Sequence, residues 1–256
     1  MKNCALSSDG RLIAIHQESK IELYSSTESK LKFLYSKCQS TVTCFAFSGD
    51  GTALLLCTQD SSNDSYFHVW DIQEGVVSAH LESRGNLTPE CCCLSSDKIV
   101  LCGDYRIEIW EYAEHSCCLI EGFSVEKPYS WVTFSQCTMS VDNQFLVCCI
   151  ADEILLYRLL TPKIYSSKQA FRGHLGSIEF CRFLKINRYL ISYGIDGMVF
   201  LWDISQSKAV GFIRIAERQE SIVSMAVSPE EDRAVCFTST GRVCMIKLCE
   251  LGSALE

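Results

Sequence analysis

Two sets of residues in this 256-residue chain have types that could do chemistry. The first is His174 and Asp196, an imidazole and a carboxylate that could act as a catalytic proton-transfer pair. The same two residues can also be structural, and a structural role is the expected one, because a satisfied buried network rigidifies a sheet. The second set is the seventeen cysteines, with the adjacent runs Cys91-Cys92-Cys93, Cys117-Cys118 and Cys148-Cys149. Structural zinc sites bring paired thiolates at C-x-x-C-type spacing, and no C-x-x-C occurs in this sequence. Adjacent cysteines on a strand point to opposite faces and are poorly placed to share one metal. They read as small buried hydrophobes, so no metal and no cofactor is expected. There is no G-x-S-x-G elbow, no phosphate loop and no H-E-x-x-H, and the five histidines are scattered. No enzyme is expected.

The elements that hold these residues are legible from Arg172 to Asp203. Three apolar runs of strand length, Ile178–Leu184, Tyr189–Tyr193 and Val199–Trp202, are rich in Ile, Val, Phe and Tyr. Asp196-Gly197 separates the second and third, a strong hairpin signal. The expected product is an antiparallel meander. It recurs. An apolar-x-apolar-Ser motif followed by a polar turn has its fourth position at Ser7, Ser48, Ser95, Ser140, Leu184 and Ser228, spaced by 41, 47, 45, 44 and 44 residues. A second landmark, the end of the third strand, falls at Tyr24, Trp70, Trp110, Tyr157, Trp202 and Lys247, spaced by 46, 40, 47, 45 and 45. Two independent landmarks thus keep one period.

At Arg172–Asp203 the sequence resembles the WD-repeat family, whose units carry Gly-His near the start and Trp-Asp at the end. Here these are Gly173-His174 and Trp202-Asp203, and Trp70-Asp71 is a second Trp-Asp. In that family a His, a Ser or Thr, an Asp and the Trp form a buried hydrogen-bonded chain, in which the aspartate accepts from the histidine, the histidine bonds the hydroxyl, and the hydroxyl accepts the indole N–H. His174, Ser192, Asp196 and Trp202 stand at the matching positions, the full set occurring in one repeat only. The resemblance implies an all-β fold, a β-propeller of four-stranded antiparallel blades. Six repeats are expected, at about 1–36, 37–83, 84–122, 123–168, 169–215 and 216–256, within one domain spanning 1–256. The fourth strand of repeat 4 is expected near Lys163–Ser166, and the last repeat is expected to lack its outer strand. Most WD-repeat proteins close the ring with a strand from the N-terminus, and none is visible before the first repeat. Either the chain is a fragment or short isoform of a longer protein, or it is a six-bladed ring closed by blade packing alone. The first reading makes it the WD region of a multidomain protein, a layout found in NACHT-and-WD-repeat proteins.

Charge narrows the partner. With 23 basic and 31 acidic residues the net charge is −8, which disfavours nucleic acid and anionic membrane surfaces. No apolar run approaches the length of a bilayer span and no signal peptide is apparent, so a cytoplasmic protein with reduced thiols is expected. The partner is expected to be a protein or peptide bound on the loop-rich face. The alternative is a regulatory or sensor module, with upstream domains of a longer chain as its partner. Loops carry binding because the strands are committed to the sheet. The candidate anchors are Lys127, Tyr129 and Trp131 around Pro128, Tyr66 after the long connection Gln59–Tyr66, and Tyr105, Arg172 and Tyr193 on the same face.

Overall fold

Runs of Leu, Ile, Val, Phe and Cys, interrupted by Ser/Asp/Gly turns, give 23 strands and one short helix among the described residues. The structure is a computed structural model of the chain. It describes residues 4–7, 10–17, 20–25, 31–36, 41–82, 87–113, 116–125, 133–159, 169–184, 187–217, 220–228 and 230–252. The strands form six antiparallel meanders, the blade architecture of the β-propeller class. They fall into two compact units, Met1–Thr133 and Phe134–Glu256, each holding three sheets.

In the first unit, sheet one comprises β1 (Cys4–Leu6), β2 (Leu12–Gln17), β3 (Lys20–Ser25) and β4 (Leu31–Ser36). Sheet two is β5 (Thr41–Phe47), β6 (Ala53–Gln59), β7 (Ser65–Asp71) and β8 (Val76–Glu82). Sheet three is β9 (Cys91–Leu94), β10 (Lys98–Gly103), β11 (Arg106–Ala113) and β12 (Ser116–Ser124). In the second unit, sheet four is β13 (Phe134–Met139), β14 (Phe145–Ile150), β15 (Glu153–Arg158) and β16 (Gln169–Arg172). Sheet five is β17 (Ile178–Phe183), β18 (Tyr189–Gly194), β19 (Met198–Asp203) and β20 (Lys208–Arg214). Sheet six has three strands, β21 (Ile222–Val227), β22 (Arg233–Thr238) and β23 (Val243–Lys247), followed by α1 (Leu248–Gly252).

The periodic serine has a physical job. Ser48 Oγ accepts the N–H of Ala53 at 2.9 Å and donates to Asp50 at 2.6 Å, while Gly51 N–H donates to the Ser48 carbonyl. One side chain thereby closes the turn between the first two strands of the sheet. Ser140 repeats the device with Asp142 and Phe145, and Ser228 with Asp232 and Arg233. Three residues after the serine the backbone turns left-handed, at Gly51, Asn143 and Glu231. Gly and Asn accept that geometry readily. Where Leu184 replaces the serine, Asn187 still supplies the left-handed residue.

Burial follows position in the meander. The second and third strands of sheets two to five are covered on both faces, so β6, β10, β14, β18 and β19 read as nearly continuous apolar runs. Outer strands alternate, as β12 does residue by residue. Between sheets two and three the core holds Leu55, Phe67, Leu101 and Trp110; between sheets four and five it holds Phe171, Phe183, Phe200 and Trp202.

One strand lies elsewhere than expected. The outer strand of sheet four is β16, whose Ala170 and Phe171 pair with Leu155 and Ile154. The expected position, 163–166, lies outside the described residues. A four-residue strand with a single buried aromatic, Phe171, between Gln169 and Arg172 carries too short an alternation to stand out. Arg172 therefore belongs to sheet four rather than to the start of the next repeat.

Candidate functional site

The hairpin that joins β18 to β19 assembles a buried polar group in the molecule's second unit. Gly197 takes φ 73° and its N–H closes on the Gly194 carbonyl at 3.1 Å, a type of turn that a glycine in this position favours. This aims the Asp196 carboxylate inward. It accepts His174 Nδ1 at 3.0 Å, Leu175 N–H at 2.8 Å and Met198 N–H at 3.0 Å. His174 Nε2 lies 2.8 Å from Ser192 Oγ, which also accepts Trp202 Nε1–H at 2.8 Å. Nδ1–H donates to the aspartate, the serine proton is free to serve Nε2, and every polar atom of the chain is satisfied.

The order serine, histidine, aspartate is the order of a charge-stabilised nucleophile. The surroundings oppose that chemistry. Ser192 is 0% exposed and its oxygen already receives the indole proton. His174 is wrapped by Phe200 and Trp202, at ring distances of 4.6 and 6.2 Å. A nucleophile must meet a substrate atom, and this one meets Trp202. The arrangement ties the second and third strands of sheet five to the loop that precedes the first.

Burial alone would raise the Asp196 carboxyl. The bonds from His174 and the two backbone N–H groups outweigh it, and the carboxyl lies below its ordinary value of 3.8. A folded-state value lower than the unfolded one gives stability that is present above the unfolded value and lost as pH falls through the folded one. Asp196→Asn is therefore expected to cost about 1.5–3 kcal/mol near pH 7. The difference between variant and wild type should narrow below pH 3.8, in urea unfolding measured from pH 7 down to pH 3. A gap that stays constant over that range would show that the carboxylate charge is not what holds the turn.

Asp203 of the Trp-Asp pair is clamped as well. It is 1% exposed, accepts Arg188 Nη2 at 3.0 Å and caps the following turn through Ser205 and Gln206. Desolvation pushes its carboxyl up, and the bonds from Ser205 and Arg188 bring it below its ordinary range.

The expected binding residues are dispersed. Lys127, Tyr129 and Trp131 lie outside the described residues. In the first unit Tyr66 sits on β7, stacked on His80 at 5.7 Å, after a five-residue connection closed by Asp60. Tyr105 forms the two-residue turn of sheet three with Asp104, both left-handed at φ 59° and 48°. Thr88 joins these two edges, since it receives Gln59 Nε2 at 3.3 Å and donates its N–H to Asp104 at 2.6 Å. In the second unit Arg172 is exposed and pairs with Glu153 at 2.6 Å. Tyr193 is buried, stacks on Phe180 at 5.5 Å, and donates its hydroxyl to the Val223 carbonyl. Burial pushes its phenol up to about 12, and it offers a partner little surface.

Two features escaped the sequence. Leu175 and Ile195, 87% and 54% exposed, stand beside each other at the turn edge of sheet five, with the Ile195 side chain lying over Gly176. Leu175 directly follows Gly-His, and an apolar residue between two turn glycines was the available signal. The second is a sulfur cluster in the first unit. Cys44, Cys57 and Cys92 come from three strands of two sheets, and their sulfurs all lie within 4.8 Å of one another. Hydrogen bonds with Cys44 and Cys57, together with burial, push the Cys92 thiol well above its ordinary value. The spacing of 13 and 35 residues follows no metal-site pattern and is set by strand register.

Comparison with known proteins agrees with the repeat geometry. The family model of the WD domain, G-beta repeat, matches residues 29–71 and 165–203. Echinoderm microtubule-associated protein-like 4 of Homo sapiens is 25% identical over 176 residues, covering 63% of this chain and 18% of the relative. The Mus musculus protein of the same name is 25% identical over 176 residues, covering 63% and 17%. The chain thus spans less than a fifth of the length of these relatives. Two matched repeats, one period through all six sheets and the same meander in each support a WD-repeat β-propeller family for the chain.

Proposed function

We propose that this chain is a non-catalytic scaffold that binds a protein or peptide on the turn-bearing edge of its sheets. The observation that carries the reading is the exposed pair Leu175 and Ile195, held on hydrogen-bonded turns. Ile195 N–H is fixed to the Ser177 carbonyl at 2.9 Å, and Leu175 N–H to Asp196 at 2.8 Å. Large apolar side chains on a rigid edge lose little entropy when a partner covers them. Arg172 and Arg214, the latter bonded to the Asp196 carbonyl, supply charge at the same edge. The enclosed Ser192 supports a structural role for the one triad-like group. The thiol state of the described cysteines supports a cytoplasmic setting, and among the described residues no helix is long and apolar enough to cross a membrane.

A second reading is favoured by sheet six. Its outward face carries Val223, Val235, Phe237, Val243 and Met245, exposed by 37 to 66%. An apolar sheet face of this kind suits a regulatory module packed against further protein.

The test is capture from cytosol by wild type and by Leu175→Asp/Ile195→Asp, with polymerised tubulin as a defined candidate because the relatives are named as microtubule-associated. The variant is expected to bind at least tenfold more weakly, since anchors of this size contribute on the order of 2 kcal/mol. Its melting temperature should stay near wild type, because both side chains are exposed. Equal retention of every partner by both proteins would sink the proposal for this edge.

A further inference from the structure

The sulfur cluster of the first unit has the makings of a metal site. Cys44 and Cys57 are opposite each other on β5 and β6, and a bulge between Val42 and Cys44 sets that pairing. Cys92 reaches them from β9 of the adjacent sheet. Each adjacent run of cysteines contributes at most one sulfur, since its neighbours face the other way. The cluster assembles from three strands instead. We propose that Cys44, Cys57 and Cys92 form a three-coordinate site for Cu(I).

Three properties of the site select that ion. All three donors are sulfur, which suits soft metals and gives no purchase to Mg²⁺ or Ca²⁺. Among the described residues no further Cys, His, Asp or Glu joins the three. The core around them consists of Leu55, Phe67, Leu101 and Trp110, so a tetrahedral ion finds neither a fourth side chain nor ready access for water.

Dimensions give the third. Metal–sulfur bonds of about 2.3 Å in a trigonal plane put the sulfurs about 4.0 Å apart. The three already lie within 4.8 Å, so rotamer adjustment and a small contraction suffice. Cys57 and Cys92 are buried and Cys44 is half-buried as a whole residue, and all three are buried where they cluster. The Thr43 hydroxyl lies 4.0 Å from Cys44 Sγ and can donate to a thiolate there.

The experiment is an anaerobic Cu(I) titration of the reduced full chain against a chromophoric Cu(I) chelator. One Cu(I) per chain should be retained. Cys44→Ala and Cys57→Ala should each weaken retention at least tenfold, while Cys118→Ala and Cys249→Ala, at exposed thiols, should not. X-ray absorption of the loaded protein should show three sulfur neighbours. Should Cys57→Ala fail to fold, Cys44→Ser at the half-buried position carries the comparison. Failure to retain the ion, unchanged retention in Cys44→Ala or Cys44→Ser, or a coordination number other than three would each overturn the proposal. So would preferential retention of Zn(II) by the same three residues, which would require a fourth ligand.

Discussion

Trp202→Ala is expected to cost about 3–5 kcal/mol of unfolding free energy. Trp202→Phe should cost less, about 1–2 kcal/mol. The indole is 1% exposed, stacked on Phe200 at 5.0 Å and edge-on to Phe171 at 5.8 Å. Truncation leaves a cavity among Phe171, Phe183 and Leu190 that the surrounding strands cannot collapse to fill. It also removes the proton that Ser192 Oγ receives. Phenylalanine keeps most of the packing and loses only that donor, so the pair of variants separates volume from hydrogen bonding. A double-mutant cycle with Ser192→Ala should return a coupling of at least about 0.5 kcal/mol. Chemical denaturation reads all four proteins. A loss below about 1 kcal/mol for Trp202→Ala would mean that sheet five does not depend on its Trp-Asp strand. The same geometry accounts for the glycine of Gly-His. A Cβ on Gly173 would come to 3.0 Å from the indole and 3.3 Å from Phe200, so the ring rests on bare backbone.

Much of this fold is legible because repetition lets weak local signals reinforce one another. The serine that spaces the repeats is the residue that closes a turn, and its chemistry is the same wherever it occurs. The confinement of the full network to sheet five is legible too. Two residues beyond the partner of each tryptophan, sheet five has Ser192, while sheets two and three have Leu56 and Leu101. Without a hydroxyl there, Trp110 turns instead to Glu108 on its own strand, at 3.2 Å. What stays hidden depends on side chains meeting across sheets or on exposure. Tyr193 and Leu175 illustrate the difference. Both sit near the same turn, and composition favours the tyrosine as an anchor, yet the tyrosine is 5% exposed and the leucine 87%. The sulfur cluster is hidden for the same reason, since Cys92 meets Cys57 only through the packing of one sheet on another.

Close backbone approach is the least legible feature of all, and Gly103→Ala exposes it. A Cβ at Gly103 would lie 1.9 Å from the Thr88 carbonyl oxygen, 2.8 Å from its carbon and 3.1 Å from Pro89 Cα. Those atoms are backbone and cannot swing aside. They are also fastened on both sides of the glycine. Thr88 N–H is held by Asp104 at 2.6 Å, and Glu90 N–H by the Cys102 carbonyl at 2.8 Å. Relief of the overlap must break one of these bonds or pull β10 from β11 at the Gly103–Arg106 pair. Gly103→Ala is therefore expected to cost about 3 kcal/mol, the upper end of what overpacking does. Two other glycines calibrate it. A methyl group added at Gly49 would meet nothing within 4 Å, and the backbone there is not left-handed, so Gly49→Ala should stay within about 0.5 kcal/mol of wild type. Gly75 also has open space but sits at φ 71°, so Gly75→Ala should cost about 1 kcal/mol from conformation alone. The expected order, Gly103 well above Gly75 and Gly75 above Gly49, separates contact from conformation in one series of melts. If Gly103→Ala fell level with Gly75→Ala, the 88–90 segment would have to yield freely, and the link that Thr88 makes between sheets two and three would not be a rigid one.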